Sequence, residues 1–152
     1  MTAEAKLRTL AQQDTTLQSF FFTDGQVRWF DLQLQPKYLK LGKTCARVKR
    51  VSTPRSYCHE TKTQRSQSRL AQPRFQIDVL DYDSERAREA AAAIVDWLAT
   101  VDFSSNAQFS SPSTSPKRHP NQVLNQRAGM DYRLDPPAFV ETLDIRIFDL
   151  EA

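Results

Sequence analysis

Arg74-Phe75-Gln76-Ile77-Asp78-Val79-Leu80-Asp81, followed at once by Tyr82-Asp83-Ser84 and then by Glu85 to Thr100, is the stretch that decides the fold. Phe75, Ile77 and Val79 alternate with Gln76, Asp78 and Leu80, the period of two that sends successive side chains to opposite faces of a strand. The period then changes. Ala87, Ala90, Ala91, Ile94, Trp97, Leu98 and Val101 recur at spacings of three and four, which is one face of a helix. The acidic, turn-forming run Asp81-Tyr82-Asp83-Ser84 ends the strand and caps the helix, and early acids such as Glu85 suit the positive end of its dipole. Ala87, Ala90 and Ala91 carry almost no side-chain bulk, so this helix can lie close against a sheet.

Working outward from this unit, residues 3 to 12 read as a short helix with Leu7, Leu10 and Ala11 on one face. Asp14-Thr15-Thr16 offers a cap for a second short turn that holds Leu17, Phe20 and Phe21. Asp24-Gly25 signals a turn before a strand from Val27 to Leu34, with Phe30, Leu32 and Leu34 on one face. Pro36 to Lys43 reads as a connection, and Thr44 to Thr53 as a second strand, after which Pro54 disfavours a central sheet position. The run from 59 to 70 has no apolar period and reads as a long polar loop. Beyond the long helix, the Ser/Pro-rich segment 104 to 120 reads as another flexible loop. A hairpin then closes the order: Gln122 to Leu134, with an interruption expected near Ala128-Gly129, the turn Asp135-Pro136-Pro137, and Phe139 to Phe148 with Leu143, Ile145 and Ile147 inward. The sequence therefore predicts an α+β fold. It is a mostly antiparallel β-sheet with one long and one or two short helices packed on one face.

At 152 residues the chain fits one domain, 1–152, able to bury roughly 70% of its unfolded surface without a metal or disulfide staple. A hydrophobic content of 39% with 26% charged residues is polar for a globular chain but is not the composition of a disordered one. It also suits a subunit completed by its neighbours. No apolar run is long enough to span a bilayer, and Met1 to Lys6 lacks the apolar core of a signal peptide, so a cytoplasmic origin is expected. Cys45 and Cys58 have no partners of the C-x-x-C kind and read as reduced thiols.

The charge is unevenly spread. Lys37 to Arg74 holds eleven Lys and Arg against one acid, Glu60, a local charge of +10; with +3 for the whole chain, the remainder carries −7. Such asymmetry fits an anionic partner or an acidic protein surface, and equally a solvated strand face beside a polar loop. Arg47, Lys49 and Arg50 fall on a strand, where they read as facing a neighbouring subunit. Lys62, Arg65 and Arg69 fall on the polar loop, where they read as docking on a partner.

The inventory for catalysis is thin. His59 and His119 sit in loops without apolar anchors, and Cys58 beside His59 is a sequence neighbour rather than a converging pair. Cys45, Cys58, His59 and His119 lack the paired spacing of structural zinc sites. Asp78, Asp81 and Asp83 have spacing that Mg²⁺ could use, but acids in such a place normally end a strand and cap a helix. Gly25, Gly42 and Gly129 stand alone, so no phosphate-cradling loop is present. The reading is a non-enzymatic protein with no cofactor and no metal.

Leu70-Ala71-Gln72-Pro73-Arg74-Phe75-Gln76-Ile77-Asp78-Val79, then Asp83-Ser84-Glu85 and the Ala-rich helix, resembles the tail-terminator (tail-completion) proteins of tailed bacteriophages. The closing strand Glu141-Thr142-Leu143-Asp144-Ile145-Arg146-Ile147-Phe148 and the opening helix with Leu7 and Leu10 extend the resemblance over most of the chain. It departs from the family pattern in the middle region, Phe30 to Lys43, and in the length of the 104–120 loop. The resemblance implies a virion structural protein that forms a homo-oligomeric ring, a hexamer, at the head-proximal end of the tail tube. It also implies that the ring joins the tail tube protein to the head–neck connector or stopper proteins, with DNA passing through the lumen without sequence-specific binding. Two other readings stay open: another connector or stopper protein, and a basic nucleic-acid-associated protein. The last expects salt-sensitive binding to duplex DNA, weakened by Arg65→Glu or Arg69→Glu in a filter-binding or anisotropy assay, and the absence of binding at low salt removes it.

Overall fold

The computed structural model describes residues 3–23, 26–27, 29–30, 39, 44–52, 55–57, 69–71, 73–101, 121–147 and 149–151. In chain order the elements are α1 (Ala3–Gln13), α2 (Thr15–Phe21), β1 (Phe22–Thr23), β2 (Gln26–Val27), β3 (Trp29–Phe30), β4 (Cys45–Ser52), β5 (Arg55–Tyr57), β6 (Arg69–Ala71), β7 (Arg74–Asp81), α3 (Ser84–Thr100), β8 (Gln122–Asp131), β9 (Ala138–Arg146) and β10 (Asp149–Glu151). The expected α+β class is what the chain adopts.

The principal sheet has the order β3-β4-β7-β9-β8. β4, β7, β9 and β8 run antiparallel, and β3 joins β4 in parallel over two residues. β7 lies at the centre. Its odd-numbered residues meet their counterparts on both neighbours, with Ile77 opposite Val48 and Leu143, and Phe75 opposite Ile145. These side chains form the main core with Leu7, Leu10, Leu17 and Phe21 of the two short helices and Ala90, Ala91, Ile94, Trp97 and Leu98 of α3. Ile77, Val79, Ile94, Leu143 and Ile145 are fully buried, and each contributes roughly 1.5–3 kcal/mol of transfer free energy. Ala87, Ala90 and Ala91 are buried as well, so the small-residue face brings α3 down onto β7 and β9.

The helix ends are fixed by side chains. Asp83 is the N-cap of α3, its carboxylate accepting the Glu85 N–H at 3.0 Å. Asp14 serves α2 in the same way, accepting from the Leu17 N–H at 2.9 Å. At the far end of α3 the Asn121 amide donates to the carbonyls of Leu98 and Val101, at 3.0 and 2.8 Å. Carbonyls in a helix's last turn have no partner within the helix, and Asn121 satisfies two such groups while anchoring the start of β8.

Several sequence expectations need correction. β8 runs unbroken through Ala128 and Gly129. Its irregularity lies between Val123 and Asn125, where Leu124 is the extra residue. Within the strand expected over Val27–Leu34, Val27 belongs to β2, paired with β1, and Trp29–Phe30 form β3, paired with β4; 28 and 31–34 lie outside the described residues. The polar run 59–70 ends in a strand, since β6 pairs with β5 and β10 in a second, three-stranded sheet. The 104–120 loop and most of 59–70 fall outside the described residues.

The face of the sheet away from the helices is also partly covered. Leu39, Cys45, Leu80, Leu134, Ala138 and Val140 form a second, smaller core there, with Tyr82 packed against it. Leu80 is fully buried although its strand position points away from the helices. Truncation of Leu80 to Ala is therefore expected to cost about 2–4 kcal/mol in a urea or guanidinium melt, much as Ile77→Ala does from the other face of the same strand. A cost below about 0.5 kcal/mol would mean the second core is not formed.

Candidate assembly surface

Beside the second core, the same outer face turns polar, and Arg47, Asp78, Asp131 and Arg133 form one connected network there. Arg47 on β4 lies opposite Asp78 on β7, and Asp78 lies opposite Thr142 on β9. The Arg47 guanidinium donates to Asp78 Oδ2 at 3.1 Å and to Asp131 Oδ2 at 2.8 Å. The other oxygen of Asp78 accepts from Thr142 Oγ1 at 2.9 Å and from the Gln76 amide at 3.2 Å. Asp131 closes β8, and both its oxygens are also held by Arg133, from Nε and Nη2 at 3.1 Å each, with the Arg133 backbone N–H adding a third bond at 3.0 Å.

These contacts set the charge state of Asp131. The bonds from the Arg133 side chain hold its carboxyl down, from an ordinary 3.8 to about 2; burial opposes this, and the Arg133 N–H and Arg47 reinforce it. Asp131 in turn pushes the already high pKa of Arg133 further up. A carboxylate held this firmly as an anion makes a structural tie and a poor proton donor at neutral pH.

Around the network opens a trough of about 520 Å³ lined by Arg47, Asp78, Arg127, Gly129, Tyr132 and Arg133 among others. A methyl group added at Gly129 would meet nothing within 4 Å, so the strand stands clear of other atoms at this point. The β8 edge forms its rim. From Gln122 to Met130 every residue of β8 is exposed, on both faces of the strand. Val123, Leu124 and Met130 are 38–40% exposed, and Tyr132 in the following turn is 77% exposed. β8 has β9 on one side, and its other edge has no strand among the described residues.

The residues singled out by charge fall in different settings. Arg47 is committed within its own subunit, as the bridge between Asp78 and Asp131. Arg50 projects to the helix side and pairs with Glu4 of α1 at 3.1 Å. Lys49 is exposed on the outer face, with no ion pair among the described residues. Arg69 lies on β6, opposite Tyr57 and Glu151. Lys62 and Arg65 lie outside the described residues, as do Cys58, His59 and His119. Cys45 is a buried thiol outside any disulfide.

The three acids considered for a metal have separate tasks. Asp78 holds Arg47, Asp83 caps α3, and Asp81 accepts from Thr44 Oγ1 at 2.6 Å and from the Asp83 N–H at 2.9 Å. Among the described residues no group of three or more His, Cys, Asp and Glu is placed to hold a metal ion. Asp131, Arg133 and the exposed β8 edge were not singled out by sequence: the Arg47–Asp131 contact joins residues 84 apart, and the exposure of β8 depends on which strands pair beside it. No family model, curated protein or solved structure matches the chain.

The depressed carboxyl gives a pH signature. An unfolded Asp131 protonates near 3.8, whereas the folded one keeps its charge to about 2. Its contribution is therefore fully present above about pH 5 and is lost as pH falls towards 2. The expected loss across that window is about 2 kcal/mol in denaturant melts, and Asp131→Asn should remove that part of the slope. Arg47→Ala should cost about 3 kcal/mol at pH 7, because it leaves the largely buried Asp78 without a cation and Asp131 with Arg133 alone.

Proposed function

We propose that this chain is a structural subunit that assembles into a closed ring through its principal sheet, as a virion tail-terminator protein. The observation that carries the reading is the β8 edge. It is a ten-residue strand whose first nine residues are exposed, and it carries Val123, Leu124 and Met130 in the open. A long strand edge of this kind is a template for pairing with another chain, and proteins that stay monomeric blunt it with charge, proline or a cover. Among the described residues, the Leu124 bulge and Arg127 interrupt it and no strand covers it. The opposite edge of the sheet differs, because there β3 pairs with β4 in parallel, at Ala46 and Arg47 among the described residues. Two unlike edges favour head-to-tail contacts, and head-to-tail contacts whose rotation closes make a ring.

The sequence resemblance supplies the rest of the proposal: six subunits, a tail tube protein on one side, a connector or stopper protein on the other, DNA passing through the lumen, and a location in the neck region of the virion. No helix among the described residues is long and apolar enough to cross a membrane. The tight internal commitment of Arg47, Asp78 and Asp131 also favours a scaffold over a reactive centre, since each charged group already has its partner.

The test is the mass of the particle in solution. Size exclusion with light scattering should report an oligomer, and electron microscopy should show rings, either alone or on tail tubes. Val123→Lys with Met130→Lys should shift the particle to monomer and leave the denaturant midpoint within about 0.5 kcal/mol of the parent in stability, because both side chains are already exposed. A parent that is monomeric at all concentrations and never joins tail tubes overturns the reading.

A further inference from the structure

At the end of the outer face remote from the second core, the sheet places two arginines side by side. Arg74 of β7 and Arg146 of β9 are directly opposite in the antiparallel register. Such positions hold Cβ atoms about 5 Å apart, and like charges there destabilise the pair. An acid on a neighbouring strand normally relieves such a pair. Asp144 is the nearest candidate by register, but it is engaged by Arg127 of β8 at 2.8 Å. Among the described residues Arg146 reaches the neutral Gln122 side chain, at 3.3 Å, and no carboxylate. Arg74 Nε is buried and has no acceptor among the described residues. Lys49, exposed on the same face opposite Gln76, stands one row away and also lacks an ion pair among the described residues. Three cations thus occupy neighbouring positions on one face where the described residues supply no free carboxylate, and the buried Arg74 N–H finds no acceptor among them. An unfilled N–H of this kind costs free energy that an acceptor would recover.

We propose that Arg74 and Arg146, with Lys49 beside them, form a binding site for a tetrahedral oxyanion of the phosphate class. Two guanidinium groups across a strand pair match an anion with several oxygens, each taking one or more charge-assisted N–H bonds. A dianion offsets the repulsion of the arginine pair and leaves Lys49 as the third contact. The site is independent of the β8 edge and of the ring reading.

Inorganic phosphate is the probe, with the full chain and with sodium chloride at matched ionic strength as the reference. At 10 mM phosphate the melting temperature should rise about 3 °C above the chloride reference, as expected for a millimolar site that binds only the folded chain. Sodium acetate at the same ionic strength should give less than half of that. Arg146→Gln and Arg74→Gln, tested singly, should lose the phosphate response, and Arg146→Gln without phosphate should melt no lower than the parent because a like-charge pair is removed. In the parent, phosphate titration should also move the Arg74 side-chain N–H resonance in a nitrogen correlation spectrum, which keeps the test intact if a variant fails to fold. The proposal is overturned if phosphate does no more than chloride, if acetate matches phosphate, if Arg146→Gln keeps the full response, or if the Arg74 resonance stays fixed.

Discussion

The fold depends on one strand being buried from both sides. β7 lies between β4 and β9, with Phe75, Ile77 and Val79 under the helices and Leu80 under the second core on the opposite face. An antiparallel sheet usually keeps one wet face. Here the outer face is dry only near Leu80 and becomes polar from Asp78 towards Arg74. That gradient explains the placement of everything else. Apolar covering ends where Arg47 spans Asp78 and Asp131, and the ion pairs take over the task of tying β4, β7 and β8 together.

Much of this was legible in sequence because it is local. The alternation from Phe75 to Val79, the helix period from Ala87 to Val101, and the acids that cap α2 and α3 rest on neighbours within a few residues. Leu80 shows the limit. Alternation put it on the outer face correctly, but its burial depends on Leu39, Leu134, Ala138 and Val140 arriving from elsewhere in the chain. Gly129 misled in the other direction: glycine in a strand signals a break, yet the pairing runs straight through it and slips at Leu124 instead. β10 was missed because three residues carry no period that could be read.

The basic segment separates on the same grounds. Composition gathers Arg47, Lys49 and Arg50 as one cationic run, but strand alternation sends Arg50 to the helix side, where Glu4 meets it, and the other two to the outer face. On that face Arg47 finds two acids and Lys49 finds none among the described residues. Charge counted along a sequence therefore overstates what a partner can meet, since cross-strand pairing has already consumed part of it. Among the described residues, the surface left open is the β8 edge, with its exposed apolar side chains and no strand on its outer side.

In the assembly proposed above, subunits join at this open edge. Amide hydrogen exchange, compared between the assembled and the dispersed protein, tests it most directly. The amides of β8 that do not bond to β9 should exchange rapidly in the dispersed chain and become strongly protected on assembly, because a neighbouring strand then accepts their N–H groups. If those amides exchange at the same fast rate in the assembled particle while protection grows elsewhere, the β8 edge is not the joint and the account is contradicted.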